Sequence, residues 1–149
     1  MTIGPTKPRC GELWLIDSFR PAGPRTVVCV VETGKNLASV MLTDNEPNMA
    51  SDQDICYAAG EVAPWPVRVC ADLIGPVRLT LFRKRLGAIP IKRVNLLPMS
   101  RLGEFAPHLA ARRGIPLRGP ADPRWDFALA QLSLAQENWF TPFDEDGPT

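Results

Sequence analysis

Two arginines lie in a loop between two apolar segments, and their chemistry suits phosphate. Residues 11–16 and 26–31 are rich in β-branched and other large apolar side chains, which predicts the two strands of a hairpin. The residues between them, 18–25, are too many and too rich in Pro and Gly for a two-residue turn, so they predict a surface loop. A guanidinium group stays charged at any working pH, and its planar fork matches two phosphate oxygens. We therefore expect Arg25, at the loop exit, to bind phosphate, with Arg20 as a weaker candidate.

A loop arginine that binds phosphate can also stabilise the transition state of a phosphate reaction, and metal-free cleavage of RNA is one example. Without a metal ion, the 2′-hydroxyl of RNA attacks the adjacent phosphate, and this needs a base, an acid and cations around the more negative phosphorane. Arg25 is the first candidate for the cation, and its alternative role is that of a solvated loop residue. Asp17 lies at the end of the first apolar segment, where an Asp commonly satisfies backbone donors. The single histidine, His108, is interpreted as a surface or helix-face residue, so the acid and the base stay unassigned.

A dense run of basic residues follows later in the chain. Such a run can track an RNA backbone, although it is more often a solvated face. Aromatic residues between the cations favour single-stranded RNA, and Phe82 is the one aromatic inside this run. The candidate substrate-binding residues here are Arg78, Arg83, Lys84 and Arg85, with Lys92 and Arg93 completing the run.

The elements that would position these side chains are mostly strands. Further strands are expected at residues 37–43 and 53–58, and a rigid connection at Pro64-Trp65-Pro66. Residues 67–72 and 77–82 are predicted to pair around a Gly75-Pro76 turn, and 86–89 to form a last short strand. Six or seven strands within about 80 residues predict a mainly β fold, a compact barrel or sandwich.

The pattern changes to helical after this region. Residues 102–109 repeat apolar side chains at helical spacing, with Pro107 as a break. A second helix is predicted with Asp122 as its N-cap and Pro123 in its first position. Its expected apolar face is Trp125, Leu129, Leu132, Ala135 and Trp139. We therefore expect a β domain at 1–95 and a helical C-terminal extension at 96–149.

Composition limits the classes of function. A chain of 149 residues with 45% hydrophobic content buries one core. The net charge is +1, which is no global signature of nucleic-acid binding, but residues 121–149 hold one base and six acids.

The four cysteines show no C-x-x-C pair, so neither a metal nor a cofactor is expected. No signal peptide or apolar run of about 18 residues is present, which favours a cytoplasmic protein without a membrane segment.

Four blocks of the sequence resemble a known family. GELWLID at 11–17 and RTVVCVV at 25–31 are similar to the opening of the MazF/PemK (Kid) family of endoribonuclease toxins, which reads G-[DE]-[IV]-W-x-[VA]-[DN], a loop, and R-P-x-[LV]-V. ASVMLT at 38–43 is similar to the family's third-strand segment. VCADLI at 69–74 with LGAI at 86–89 is similar to its V-A-x-x-D-Q-[IL] and [RK]-[IL]-G-x-[IL] ending. The blocks keep the family's order across about residues 9–90.

The resemblance implies a fold, an activity and partners. It implies a small SH3-like β-barrel (MazF/CcdB-like) and a homodimer that cuts single-stranded RNA without metal and is neutralised by a cognate antitoxin. It also assigns Arg25 to transition-state stabilisation and Thr43 to contact with the scissile phosphate. This chain lacks the family's G-S-E-Q loop motif, has Thr26 where Pro is usual and has Leu73 where Gln is common. The resemblance implies that a carboxylate of the missing motif takes part in the reaction, and Asp17 is the nearest substitute for it.

Two other functions stay open. The barrel also serves in the gyrase-poisoning CcdB toxins, so a non-catalytic binding module is the first alternative. A structural or regulatory β protein is the second. The acidic tail, residues 121–149, joins the second predicted helix to residues 139–146, where aromatic side chains lie beside three acids. This suggests a further hypothesis: the tail folds back, or across a dimer, over the basic residues 78–93 and restrains RNA access. The alternative for the tail is a packed helix with a frayed end.

Overall fold

The computed structural model describes residues 7–51, 54–89 and 117–141. Within these ranges six strands form one sheet in the order β4-β5-β3-β2-β1-β6, and every neighbouring pair is antiparallel. The prediction of a mainly β protein with a C-terminal helix is confirmed. The strands are β1 (Glu12–Ile16), β2 (Thr26–Thr33), β3 (Leu37–Asp44), β4 (Asp54–Tyr57), β5 (Val67–Arg78) and β6 (Phe82–Ala88), followed by the helix α1 (Pro123–Asn138).

Both faces of the sheet are buried. Because side chains alternate along a strand, Cys29 of β2 faces one core while Val28 and Val30 face the other. We call the first the loop face, since residues 62–65 of the β4–β5 connection pack on it. We call the second the helix face, since α1 covers it with Ala135 and Trp139. This two-sided burial explains why β2 is a nearly continuous apolar run.

The helix α1 begins as its sequence predicts. The Asp122 side chain accepts a hydrogen bond from the backbone N–H of Arg124 at 3.0 Å, and Pro123 occupies the first turn. The expected apolar face is only partly correct, because Leu129 is 51% exposed. The residues of α1 that pack on the helix face are Leu132 and Ala135, and Trp139 follows at the C-cap.

The prediction of a turn at Gly75-Pro76 is wrong. β5 continues through both residues, and its pairing with β3 jumps from Ile74 to Cys70 between Met41 and Leu42, which leaves residues 71–73 as a bulge. Pro76 fits because β4 pairs only with residues 67–70 of β5, so no β4 acceptor needs an N–H there. Gly75 leaves room for Phe140, since a Cβ at this position would lie 2.5 Å from its ring.

The strand β6 forms one edge of the sheet. β6 is longer than the expected 86–89 strand and pairs with β1, so β4 and β6 are the two edges of an open order. Hydrogen-bonded closure into a barrel is not found among the described strands.

No helix within the described ranges is long and apolar enough to cross a membrane. The predicted helix at 102–109, His108, Lys92, Arg93 and the boundary at residue 95 lie outside the described residues.

Candidate functional site

A shallow depression of about 330 Å³ opens on the loop face where β2 begins and β3 ends. Leu15 pairs with Val27 across β1 and β2, and Thr43 donates to the Val27 carbonyl from β3. The resemblance assigns both Arg25 and Thr43 to the phosphate of the RNA, and both line this depression, which we call the Arg25 depression. It is lined by Leu15, Arg25, Thr26, Val27, Thr43, Asp44, Asn45 and Trp65.

Asp17 connects β6 with the loop at residues 18–25, which we call the arginine loop. Arg25 Nε lies 2.9 Å from Asp17 Oδ1, and the Arg25 side chain stays 67% exposed. Arg83 Nε donates a hydrogen bond to the other carboxylate oxygen, Oδ2. The hydrogen bond from Arg83 and the positive charges of both arginines hold the pKa of Asp17 below its usual value. A carboxylate with a lowered pKa is a weak general base at neutral pH, so Asp17 is better suited to orienting Arg25 and Arg83.

The Thr43 hydroxyl already has a partner. It is buried, with the residue 7% exposed, and its Oγ1 donates to the carbonyl oxygen of Val27 at 2.8 Å. A hydroxyl has one hydrogen to donate, and phosphate oxygens at neutral pH mainly accept. Thr43 can therefore bond a phosphate only by releasing Val27. In this arrangement its observed role is to tie β3 to β2 beneath Arg25.

Asp44 also lines the depression, and the positive charge of Arg68 balances its carboxylate. It accepts hydrogen bonds from Arg68 Nε at 2.9 Å and from Gln131 Nε2 at 2.7 Å, and the backbone N–H of Glu46 donates to it at 3.0 Å. Since Arg68 supplies the opposite charge, Asp44 adds little net negative field to the depression. The exposed cation of Arg25 is left as the main attraction for an anion.

The basic run on β6 is divided between the two faces of the sheet. Lys84 pairs with Leu15, and opposite residues of a ladder share a face, so exposed Lys84 lies on the side of the Arg25 depression. Arg85 pairs with Trp14 and forms an ion pair with Glu12 at 2.7 Å. Lys84 and Arg85 therefore do not belong to one basic patch, because adjacent residues of a strand point in opposite directions.

Two of the predicted binding residues are separate from the depression. Arg20 is exposed at the tip of the loop, where its carbonyl accepts from Gly23 N at 3.0 Å. Arg78 pairs with Leu37 at the start of β3, whereas Thr43 is near the end of that strand. Six residues of strand span roughly 20 Å, so the structure does not bring Arg78 together with Arg25.

The C-terminal end of α1 holds the arginine loop in place. The backbone carbonyl of Asn138 accepts from Phe19 N at 2.8 Å and from Ser18 Oγ at 3.2 Å. Trp139 Nε1 donates to the carbonyl of Pro24 at 3.1 Å, next to Arg25. The sequence gives no signal for these contacts, because the partners are 115 and 120 residues apart. We refer to Asn138 and Trp139 as the C-terminal clasp.

Trp65 is the other residue that sequence reasoning missed. It was expected to belong to a rigid connection, and the structure places its side chain at the Arg25 depression, half-buried against the loop-face core. The signal available in the sequence was the pair of prolines on either side, which restricts the backbone of a large aromatic residue. Only its position beside Arg25 at the same depression shows why that restriction matters.

Comparison with known proteins adds no assignment. No protein-family model and no curated protein matches this chain, so the MazF/PemK resemblance rests on the four sequence blocks. Within residues 7–51, 54–89 and 117–141 there is no group of three or more His, Cys, Asp and Glu side chains that could hold a metal ion. The acidic-tail hypothesis concerns residues of which only Trp139, Phe140 and Thr141 are described.

Proposed function

We propose that this chain is a MazF/PemK-like endoribonuclease that binds single-stranded RNA at the Arg25 depression. The observation that supports it most directly is that Arg25 and Thr43, both selected by the resemblance, line the same depression although 18 positions separate them in the chain. Arg25 is exposed beside a concave surface with few other unbalanced charges, and such an arginine suits a phosphate of a flexible RNA strand.

In this proposal Arg25 stabilises the phosphorane that forms when the 2′-hydroxyl attacks. Asp17 orients the guanidinium through Nε, and the exposed remainder of the fork is available to phosphate oxygens. Lys84 adds a second positive charge from β6. Thr43 supports the site from below through Val27. The general base and the general acid have no assigned residue, since the pKa of Asp17 is lowered and the Asp44 carboxylate is occupied.

The proposal includes the finer fold and the partners that the resemblance implies. Ile55 and Tyr57 of β4 share one core with Leu86 of β6, so the two edges of the sheet curl toward the same interior. This supports an SH3-like barrel with the MazF topology as the fold. A homodimer, a cognate antitoxin and a cytoplasmic location complete the proposal.

A non-catalytic RNA-binding module is the second candidate. It is favoured by one specific feature: Asp17, which binds Arg25, and Thr43, which lines the depression with it, are both engaged in other bonds and are poorly placed to move a proton. Phosphate binding by Arg25 needs neither of them. The two candidates therefore predict the same binding and differ only in cleavage.

Incubation of a long RNA with the purified protein in EDTA separates them. We expect wild-type protein to cut the RNA and Arg25→Ala to cut it at least about 100-fold more slowly, the cost of losing one transition-state donor. The melting temperature should hardly change, since an ion pair this exposed contributes little to stability. Arg20→Ala is the matched control, because it removes an exposed arginine of the same loop outside the depression.

Each other outcome has a clear meaning. RNA binding that depends on Arg25 without any cleavage supports the non-catalytic module. Equal effects of Arg25→Ala and Arg20→Ala would show that the depression has no special role. Absence of both binding and cleavage in the folded wild-type protein would reject both candidates.

A further inference from the structure

Trp65 forms an aromatic side of the Arg25 depression. Its indole is half-buried and packs against the loop-face core, while the residue also lines the depression with Arg25 and Thr43. Pro64 and Pro66 limit the backbone freedom of Trp65 from both sides. The ring is therefore held in place before any ligand arrives, and little conformational entropy is lost when a ligand stacks on it.

The other lining groups define the chemistry of a ligand. Leu15 and Val27 supply an apolar floor, and the exposed amide of Asn45 can both donate and accept hydrogen bonds at the rim. Arg25 adds a cation for an anion attached to the same ligand. A planar group with apolar faces, polar edges and an adjoining phosphate meets all of these requirements, and a nucleotide is such a group.

We propose that the Arg25 depression holds one unpaired nucleobase stacked on Trp65, with Arg25 on the phosphate next to it. This inference rests on the proposed RNA-binding function and names the part of the RNA that the site recognises. The volume of about 330 Å³ is at the small end for ligand sites and suits one nucleotide. A base in a duplex is stacked on its neighbours and cannot enter, so the site selects single strands.

The test compares two probes that differ only in their bases. One is a short single-stranded oligonucleotide of mixed sequence with 2′-O-methyl riboses, which cannot be cleaved by 2′-hydroxyl attack. The other is an abasic oligomer of the same length and backbone. We expect wild-type protein to bind the first more tightly. Trp65→Leu should lose about 5- to 150-fold in affinity for it, the usual effect of removing one stacking platform, and should bind the abasic probe as wild type does.

Two further variants serve as controls. Trp125→Leu removes another half-buried tryptophan, on α1, which does not line the depression, and it should change neither affinity. Arg25→Ala should weaken both probes and lower the salt dependence of binding by about one phosphate contact. The base effect and the phosphate effect are thereby assigned to different residues.

A fluorescence measurement covers the case in which Trp65→Leu does not fold. Trp65→Phe keeps an aromatic platform, so it should still prefer the base-bearing probe, but it should lose the quenching of tryptophan emission that this probe causes in wild type. Quenching that is equal in wild type and Trp65→Phe would place no base on Trp65 and overturn the proposal.

The failure of this inference is distinct from the failure of the proposed function. If wild type and Trp65→Leu bind both probes equally while Arg25→Ala weakens them, RNA binding stands and the stacking site is rejected. If Trp65→Leu weakens both probes by the same factor, its role is structural and the stacking site is again rejected. If folded wild-type protein binds neither probe, the proposed function and this inference fall together.

Discussion

At the scale of single residues, Asp17 is the group around which the candidate site is arranged. Its carboxylate binds Arg25 from the loop and Arg83 from β6, so one side chain sets the positions of two cations. The sequence offered Asp17 as a substitute for a catalytic carboxylate. Its lowered pKa favours the role of an ionised anchor instead.

The ionisation of Asp17 has a consequence for stability. A carboxylate whose folded-state pKa is lowered contributes stability above its unfolded pKa, near 3.8, and this contribution is lost as the pH falls toward the folded-state pKa. We therefore expect Asp17→Asn to be less stable than wild type at neutral pH. The difference should shrink on acidification through that window. Urea unfolding of both proteins at several pH values measures it, and a difference that stays constant down to acidic pH would contradict an ionic role.

At the scale of elements, α1 has a role that its sequence did not indicate. Its N-terminal part lies near residues 47–50, where Arg124 donates to the carbonyl of Ala50 at 2.6 Å. Its C-terminal end contacts the arginine loop through the C-terminal clasp. The helix thus supports both the helix face of the sheet and the segment that presents Arg25. Gly23 is needed at this contact, since a Cβ there would lie 2.1 Å from Ser18 Oγ.

Removing one bond of the clasp tests this coupling. Trp139→Phe keeps an aromatic ring but loses the Nε1 donor to Pro24, next to Arg25. We expect unfolding to become easier by roughly 1–3 kcal/mol, from the lost hydrogen bond and reduced packing. RNA affinity, measured well below the melting temperature, should also fall because the loop is less well positioned. Trp125→Phe is the control. Unchanged RNA affinity in a destabilised Trp139→Phe protein would limit the clasp to stability.

At the scale of the whole molecule, a buried arginine links the sheet to the helix. Arg68 of β5 is 3% exposed, and it bonds Asp44 of β3, Asp54 of β4 and Gln131 of α1. Burial lowers the pKa of Arg68, but the hydrogen bond and the charges of its partners more than offset this and raise it overall. The guanidinium therefore stays charged inside the protein.

Replacing Arg68 by Met should be strongly destabilising. The substitution preserves apolar volume but leaves Asp54, which is 3% exposed, without the charge of its buried partner. Breaking a buried ion pair from one side costs about 3–5 kcal/mol, and chemical denaturation measures this loss. Arg83→Met removes a half-exposed arginine and should cost at most about 1 kcal/mol. Equal stabilities of the two variants would show that the buried network contributes no more than a surface pair.

Local sequence patterns were sufficient to predict the positions of several strands and of the start of α1. Alternation and β-branched content located β1, β2 and β3 to within two residues, because these features depend only on neighbours in the chain. Asp122 and Pro123 located the start of α1 for the same reason. The position of Arg25 at a loop exit also followed from sequence, and antiparallel pairing of β2 with β3 then placed it near Thr43.

Tertiary structure alone decided the rest. The sequence predicted a turn at Gly75 and Pro76, but their pairing with β3 keeps them within β5. Gly75 leaves room there for the Phe140 ring, and Pro76 has no β4 neighbour that needs its N–H. Trp65 belongs to the site because the β4–β5 connection packs on the loop face and places its side chain at the Arg25 depression. The clasp joins residues more than 100 positions apart. Such contacts depend on which surfaces are buried together, and no periodicity along the chain encodes that.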